Sequence, residues 1–154
     1  MVRLTDLTDA DARHLLAKEC QPFDSEPWVA GPPLRERRVA IVTSAGLHRL
    51  GDRSFDIQDT GYRVIPGNLP ASELVMTHSS VNFDRTGFQQ DTNVVFPIDR
   101  LRELAAAGEI GSVARFHYSV MGAGWLPHDI EPTAIELAGL LKEDAVNAVL
   151  LSPV

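Results

Sequence analysis

Cysteine is nearly absent from this chain of 154 residues: Cys20 stands alone. A single thiol excludes an internal disulfide framework and any zinc site built from a cysteine cluster. Lysine is almost as scarce. Of the fourteen basic residues only Lys18 and Lys142 are lysines, the arginines are scattered, and Arg37-Arg38 is the one adjacent pair. With a net charge of −7, the chain lacks the basic clustering that neutralises phosphates, which argues against a general nucleic-acid binder. No apolar run reaches the length that crosses a bilayer. Acids at Asp6, Asp9 and Asp11 run against a signal peptide, so a cytoplasmic protein is expected. Internal repeats and low-complexity tracts are missing too.

What is present is ordinary for a globular domain: 44% hydrophobic and 23% charged residues. The length suits one domain, 1–154, with a real core. Thr8 reads as an N-cap with Asp11 three residues on, and Ala12, Leu15 and Leu16 follow as an apolar stripe, so residues 9–18 are expected to be helical. Residues 20–36 hold Pro22, Pro27, Pro32 and Pro33 and read as an extended connector, with Trp28 anchoring it to the body. "VAIVT" (39–43) is an unbroken apolar run, the signature of a strand covered on both faces in a parallel sheet. "YRVIP" (62–66) and the weaker "SELVMTHSS" (72–80) read as two more strands.

Pro97, with Asp99 in the first turn, opens the clearest helix, and Gly108 closes it as a left-handed cap. In "VARFHYSV" (113–120) Ala114, Phe116, Tyr118 and Val120 share one face. Val113, Arg115, His117 and Ser119 share the other, expected to be the less buried. A last helix at about 133–143 feeds a final buried strand, 146–151. Strands alternating with helices predict an α/β fold: a three-layer, Rossmann-like or flavodoxin-like sheet of about five strands, mostly parallel.

In such a sheet the polar residues just beyond strand ends gather along one rim, where ligands bind. Thr43, Ser44, Gly46 and His48 follow the first strand, His78 and Ser79 the third, Tyr118 lies near the end of the fourth, and Ser152 follows the last. Small residues at 44–46 would let backbone N–H groups approach an anion, although ordinary turns use the same residue types. His78 with Asp84 and Asp91 offers a metal site or a base with its orienting acid, but their spacing matches no local zinc motif. Asp91 and Asn93 are equally suited to capping backbone groups, and Asp84 to pairing an arginine. His117 reads as a surface or supporting histidine, His128 in "LPHDIEP" as a lid residue, His14 as a helix-surface residue, and Cys20 as a free small thiol.

The segments "VAIVTSAGLH", "YRVIP", "HSSVNFDRTGFQQDTNVVFPIDRLRELAAAGEIG", "HYSVMGA" and "LKEDAVNAVLLSPV" occur here in an order that resembles the selenoprotein B family of glycine, sarcosine, betaine and D-proline reductases. The similarity runs from about Trp28 to Val154 and is closest to the short D-proline-reductase-like members. It implies a reductase that cleaves a carbon–nitrogen bond in a proline- or glycine-like substrate. It also implies a selenocysteine or cysteine paired with a second cysteine, immediately after the strand and turn that end at Val154, with electrons returned by a dithiol. A separate pyruvoyl-bearing subunit is the implied partner. In this setting His78, Asp84, His48 and Tyr118 are the candidate catalytic residues, and Thr43, Ser44, Gly46, Ser79 and Ser152 the candidate substrate-binding ones.

The family pattern places the redox pair just beyond Val154, and the sequence up to that residue holds only Cys20. One expectation is that a selenocysteine codon was read as a stop, leaving the front part of a longer and now inactive reductase. The competing expectation is a partner or binding module on the same scaffold, with a metal-dependent enzyme as a third. Ala145 stands in a turn where the family often has glycine, and Asn147 where it often has aspartate. A last strand without a covering helix exposes apolar surface, so the chain is expected to dimerise or to be unstable alone.

Overall fold

The run Arg38–Thr43 forms strand β1 of a computed structural model that describes residues 3–17, 26, 28–80, 83–123 and 125–154. Ala40, Ile41 and Thr43 are fully buried. Every backbone N–H and C=O of such a strand needs a partner, because a buried unpaired group costs about 1–3 kcal/mol. Both flanks of β1 are therefore occupied.

On one flank lies β7, Ala148–Ser152, parallel to β1 in an unbroken register from Val39↔Ala148 to Thr43↔Ser152. On the other flank β5 (Ser112–Val113) and β6 (Phe116–Val120) lie end to end, both parallel to β1. β3, Tyr62–Pro66, closes the sheet antiparallel to β6. The main sheet thus has five strands, mostly parallel, as the sequence predicts.

Helices cover both faces. In α3 (Ile98–Ala106), which a short α2 (Thr86–Gln90) precedes in the chain, Ile98 and Leu101 pack with Val39, Ile41, Ile65, Val95 and Phe96. In α4 (Pro127–Glu143), Leu137 packs with Tyr118 and Val120 on the opposite face. α3 starts where Asn93 Oδ1 accepts the Asp99 N–H at 3.0 Å, and Gly108 follows its end at φ +74°. α1, Asp9–Leu16, is capped as expected, the Asp11 N–H donating to Thr8 Oγ1 at 3.2 Å. None of its residues is buried.

Several expectations are corrected. The short strand β4, Leu74–Met76, is not part of the main sheet; it pairs antiparallel with β2, Leu47–Arg49. The strand period in 72–80 is real, but its partner is the continuation of β1 after a tight turn. Trp28 is 88% exposed and anchors nothing among the described residues. Cys20, the earlier part of the connector and Gly124 lie outside the described residues. His128 is not in a loop. Pro127 starts α4, where a missing N–H is tolerated, and Pro132 sits inside the helix at the cost of one intrahelical hydrogen bond. β7 is not buried: Val149 and Leu150 are partly exposed, and Leu151 is 67% exposed.

The face of β6 expected to be the more polar is fully buried at His117 and Ser119. The reason is a bulge. From Val39 to Val42 β1 advances three residues, while its neighbour advances five from Val113 to Tyr118. Two extra residues interrupt the ladder. His117 repairs the gap, its Nδ1 accepting the Ile41 N–H at 2.9 Å. The ring stands edge-on to Phe96, with centroids 5.5 Å apart.

At the far end of β1, Arg38 donates to the Asp144 carboxylate at 2.7 Å, to the Asp144 carbonyl at 2.6 Å and to the Val113 carbonyl at 2.9 Å. The same carboxylate accepts the Arg115 N–H at 2.7 Å. Burial pushes the Asp144 carboxyl up, but these hydrogen bonds outweigh it and hold the group below its usual range. The cluster ties β1, the bulge and the α4–β7 turn together. In that turn Ala145 adopts φ 54°, the left-handed region that a Cβ resists.

Two predictions follow from this geometry. Ala145→Gly relieves the left-handed penalty of roughly 1–2 kcal/mol, less the extra chain entropy glycine loses on folding, about 0.4–1 kcal/mol. Urea denaturation should show a net gain of about 0.5–1 kcal/mol; a loss would contradict the turn. Burial first, then nearby Arg102 and Arg38, lowers the His117 pKa to about 4 from 6.5, against an opposing pull from Asp144. The unfolded chain then binds the proton and the folded one does not. Stability should fall by roughly 3 kcal/mol as pH drops from 6.5 to 4. Denaturant titrations across that window should show a flatter acid limb for His117→Asn; identical limbs would sink the assignment.

Candidate active site

β1 and β7 run in the same direction, so their carboxyl ends open on one rim. The chain leaves β1 through Ser44, Ala45 and Gly46, and Gly46 takes φ +64°. This turn is held from below by β6 and from the side by β7. Gly46 N–H donates to the Val120 carbonyl at 3.0 Å, and Leu47 N–H to Ser119 Oγ at 2.7 Å. Ser44 N–H donates to the Ser152 carbonyl at 3.1 Å, and Ala45 N–H to Thr43 Oγ1 at 3.2 Å. All four N–H groups of 44–47 are thus satisfied within the protein. The turn is not an open anion cradle, and the sequence-level suggestion that it binds an anion through its backbone is corrected on that ground.

The tip of β7 reaches the same turn. Val154 N–H donates to Ser44 Oγ at 2.9 Å, and Ser152 Oγ donates to the Val95 carbonyl at 3.0 Å. Thr43 Oγ1 donates to the Ser152 carbonyl at 3.2 Å. Gly122 presses against Ser44 so closely that a Cβ there would lie 2.8 Å from the Ser44 carbonyl oxygen. On the other side of the turn, a Cβ on Gly46 would lie 3.2 Å from the His78 backbone. Thr77 N–H donates to the Gly46 carbonyl at 3.0 Å, which fixes the segment leading into His78.

His78 is buried beside this rim. Its Nδ1 accepts the Ser80 N–H at 3.2 Å, so the neutral ring carries its proton on Nε2. That nitrogen is buried and has no hydrogen-bond partner among the described residues. The ring packs on Phe83, with centroids 5.0 Å apart, and Arg85 donates to the His78 carbonyl. Burial, and secondarily the Arg85 charge, holds the His78 pKa below its usual value. Ser79 is half-buried next to it.

The other candidates are not gathered here. His48 is buried in β2, with Nδ1 at 2.9 Å from the Arg49 carbonyl. Tyr118 lies among the residues facing α4, edge-on to Tyr62, and burial raises its pKa. Asp84 accepts the Thr86 N–H at 2.9 Å and the Thr86 hydroxyl at 2.5 Å, which lower its pKa. Asp91 accepts the Asn93 N–H at 2.9 Å, and the hydrogen bonds from Asn93 lower its pKa likewise. No three His, Cys, Asp or Glu side chains among the described residues form a metal-binding group, so His78, Asp84 and Asp91 are not assembled as one. A groove lined by Pro66, Gly67, Asn68, Ala114, Arg115 and Phe116 lies at the opposite end of β6, away from this rim.

Sequence reasoning set Ser119 and Gly122 at the strand end but missed what each does there. The signal for the second was available: a glycine just past a strand end often marks a close backbone approach. Nothing in a linear reading pairs Ser119 with the Leu47 N–H, seventy-two residues away.

A family model described as glycine/sarcosine/betaine reductase selenoprotein B matches residues 26–154. The chain is 37% identical over 121 residues to the D-proline reductase subunit gamma of Acetoanaerobium sticklandii, covering 77% of this chain and 49% of that protein. It is 33% identical over 137 residues to the betaine reductase complex component B subunit beta of Peptoclostridium acidaminophilum, covering 85% of this chain and 31% of the relative. It is 28% identical over 123 residues to the glycine reductase complex component B subunit gamma of Carboxydothermus hydrogenoformans, covering 77% and 28%. The chain spans about half the length of the first of these relatives and about a third or less of the others. No solved structure matches it. Among the described residues, no helix is long and apolar enough to cross a membrane.

Proposed function

The chain belongs to the glycine/sarcosine/betaine reductase selenoprotein B family, and from that premise we propose that it is a component of a thiol- or selenol-dependent reductase. The reaction is the reductive cleavage of a C–N bond in a proline- or glycine-like substrate. It balances as follows: the bond takes up two electrons and two protons and becomes a C–H and an N–H, while a dithiol gives up both and closes to a disulfide. The sequence holds one cysteine, Cys20, so a redox pair needs at least one selenol or thiol from outside these residues. That group supplies a soft, low-pKa nucleophile.

This chain's own residues build the rim that receives it. The observation that carries the reading is the meeting of the β7 tip with the Ser44–Gly46 turn next to His78. His78 stays neutral at neutral pH and holds a proton on Nε2. In the proposal that N–H hydrogen-bonds the substrate carboxylate and orients the C–N bond, with Ser79 beside it. Partner subunits are part of the reading, because the relatives are named as subunits or complex components; a pyruvoyl-bearing subunit that holds the amino acid is the proposed kind. Exposed Val149, Leu150 and Leu151 on β7 support association, whether with such a subunit or with a second copy. They also favour the second reading, a non-catalytic partner module.

A dithiol-consumption assay with D-proline, glycine, sarcosine and betaine separates the two. It compares this chain with a version continued past Val154 by a selenocysteine- or cysteine-containing pair, each mixed with a relative's partner subunits. Turnover is expected only in the continued version, and His78→Ala should lower its kcat/KM by about tenfold or more. Turnover by the 154-residue chain contradicts the need for an added selenol or thiol, and turnover by neither contradicts the reductase reading.

A further inference from the structure

Ser44 is a candidate for touching substrate when the sequence is read alone. Its surroundings give it a different task. The β1–β7 ladder ends at the pair Thr43↔Ser152. Val154 lies two residues further on, where β1 has turned away and offers no strand backbone. A side chain takes over at that point. Val154 N–H donates to Ser44 Oγ at 2.9 Å, and the Ser44 hydroxyl lies 3.5 Å from the Val154 carbonyl, to which it donates. Just before it, the Ser152 carbonyl accepts both the Ser44 N–H and the Thr43 hydroxyl. The Val154 side chain is partly buried against the core on the α3 face.

We infer that Ser44 is a positioning residue that latches the tip of β7 to the end of β1, and that residue 122 is glycine so that the latch fits. A Cβ at 122 would lie 2.9 Å from Ser44 Oγ and 3.0 Å from Ser44 Cβ, as well as against the carbonyl. No histidine nitrogen is bonded to this hydroxyl, so it lacks the base that activates a serine nucleophile. Its acceptor and its donor both serve the β7 backbone. The latch makes the chain leaving β7 and the turn leading to His78 move as one body. The inference rests on the proposed function only for its purpose; the contact itself is a property of this chain.

Amide hydrogen exchange read by NMR tests it. In the unmodified chain the Val154 amide is protected relative to an unstructured peptide of the same sequence. In Ser44→Ala it exchanges about fivefold faster or more, while the amides of Ala40, Ile41 and Val42 keep their rates. Gly122→Ala reproduces the loss with the hydroxyl still present. An unprotected Val154 amide in the unmodified chain overturns the latch, as do equal Val154 rates in Ser44→Ala or a uniform loss across β1. If Ser44→Ala does not fold, the unmodified chain and Gly122→Ala decide. A protected Val154 amide, together with no turnover by the version continued past Val154, refutes the proposed function and leaves the latch standing.

Discussion

The parallel ladder between β1 and β7 is the constraint on which the rest depends. β1 is the deepest strand, and each of its backbone groups must be satisfied without water. β7 satisfies one flank in an unbroken register from Val39 to Thr43. The other flank is interrupted at the bulge, and the His117 ring fills the place of a missing carbonyl opposite Ile41. Side-chain fastenings hold both ends. Arg38 and Asp144 tie the beginning of β1 to the α4–β7 turn, and Ser44 ties its end to Val154. With direction and register fixed in this way, the β7 tip has one destination, the turn beside His78.

The same arrangement leaves β7 exposed on the outside. From Ala148 to Ser152 it carries no charged residue, and Val149, Leu150 and Leu151 are accessible. Edge strands in soluble proteins are usually blunted with charge, proline or a covering element. Here the described residues provide none. The relatives are named as subunits or complex components, and the proposed association draws on this strand, uncovered among the described residues.

Much of this architecture was legible in the sequence because it is written locally. The unbroken run at β1, the Thr8 cap, the start of α3 near Pro97 and its end at Gly108 each depend on a few neighbouring residues. Ala145 stood out only through the resemblance, as a residue where the family often has glycine, and its backbone is left-handed. The misread features depend on distant partners. The burial of His117 follows from a bulge that appears only when β1 and β6 are aligned. The membership of Leu74–Met76 in a small separate sheet depends on where β2 turns. Pro132 argued for a loop, yet α4 absorbs it.

At the candidate site the β7 tip meets the 44–46 turn and that turn meets the His78 segment, although His78 follows a strand outside the main sheet, so the strand-end rule does not account for its place. The rule also misjudged what their polar groups do. The four N–H groups of 44–47 and the carboxylates of Asp84 and Asp91 are all engaged in local structure. Only an inventory of hydrogen bonds separates groups that build the rim from groups left to act on a ligand. His48, His78 and His117 each keep a buried Nε2 without a partner among the described residues, and of these the His78 segment is the one packed on Gly46.

The central claim is that the β7 tip and His78 share one rim. A nitroxide attached at Val154→Cys, with Cys20 replaced by serine, measures this through its effect on amide resonances. The account predicts strong broadening at Gly46, His78 and Gly122, with Gly67 and Phe116 at the other end of the sheet left sharp. Broadening centred on Gly67 and Phe116, with His78 untouched, would contradict it.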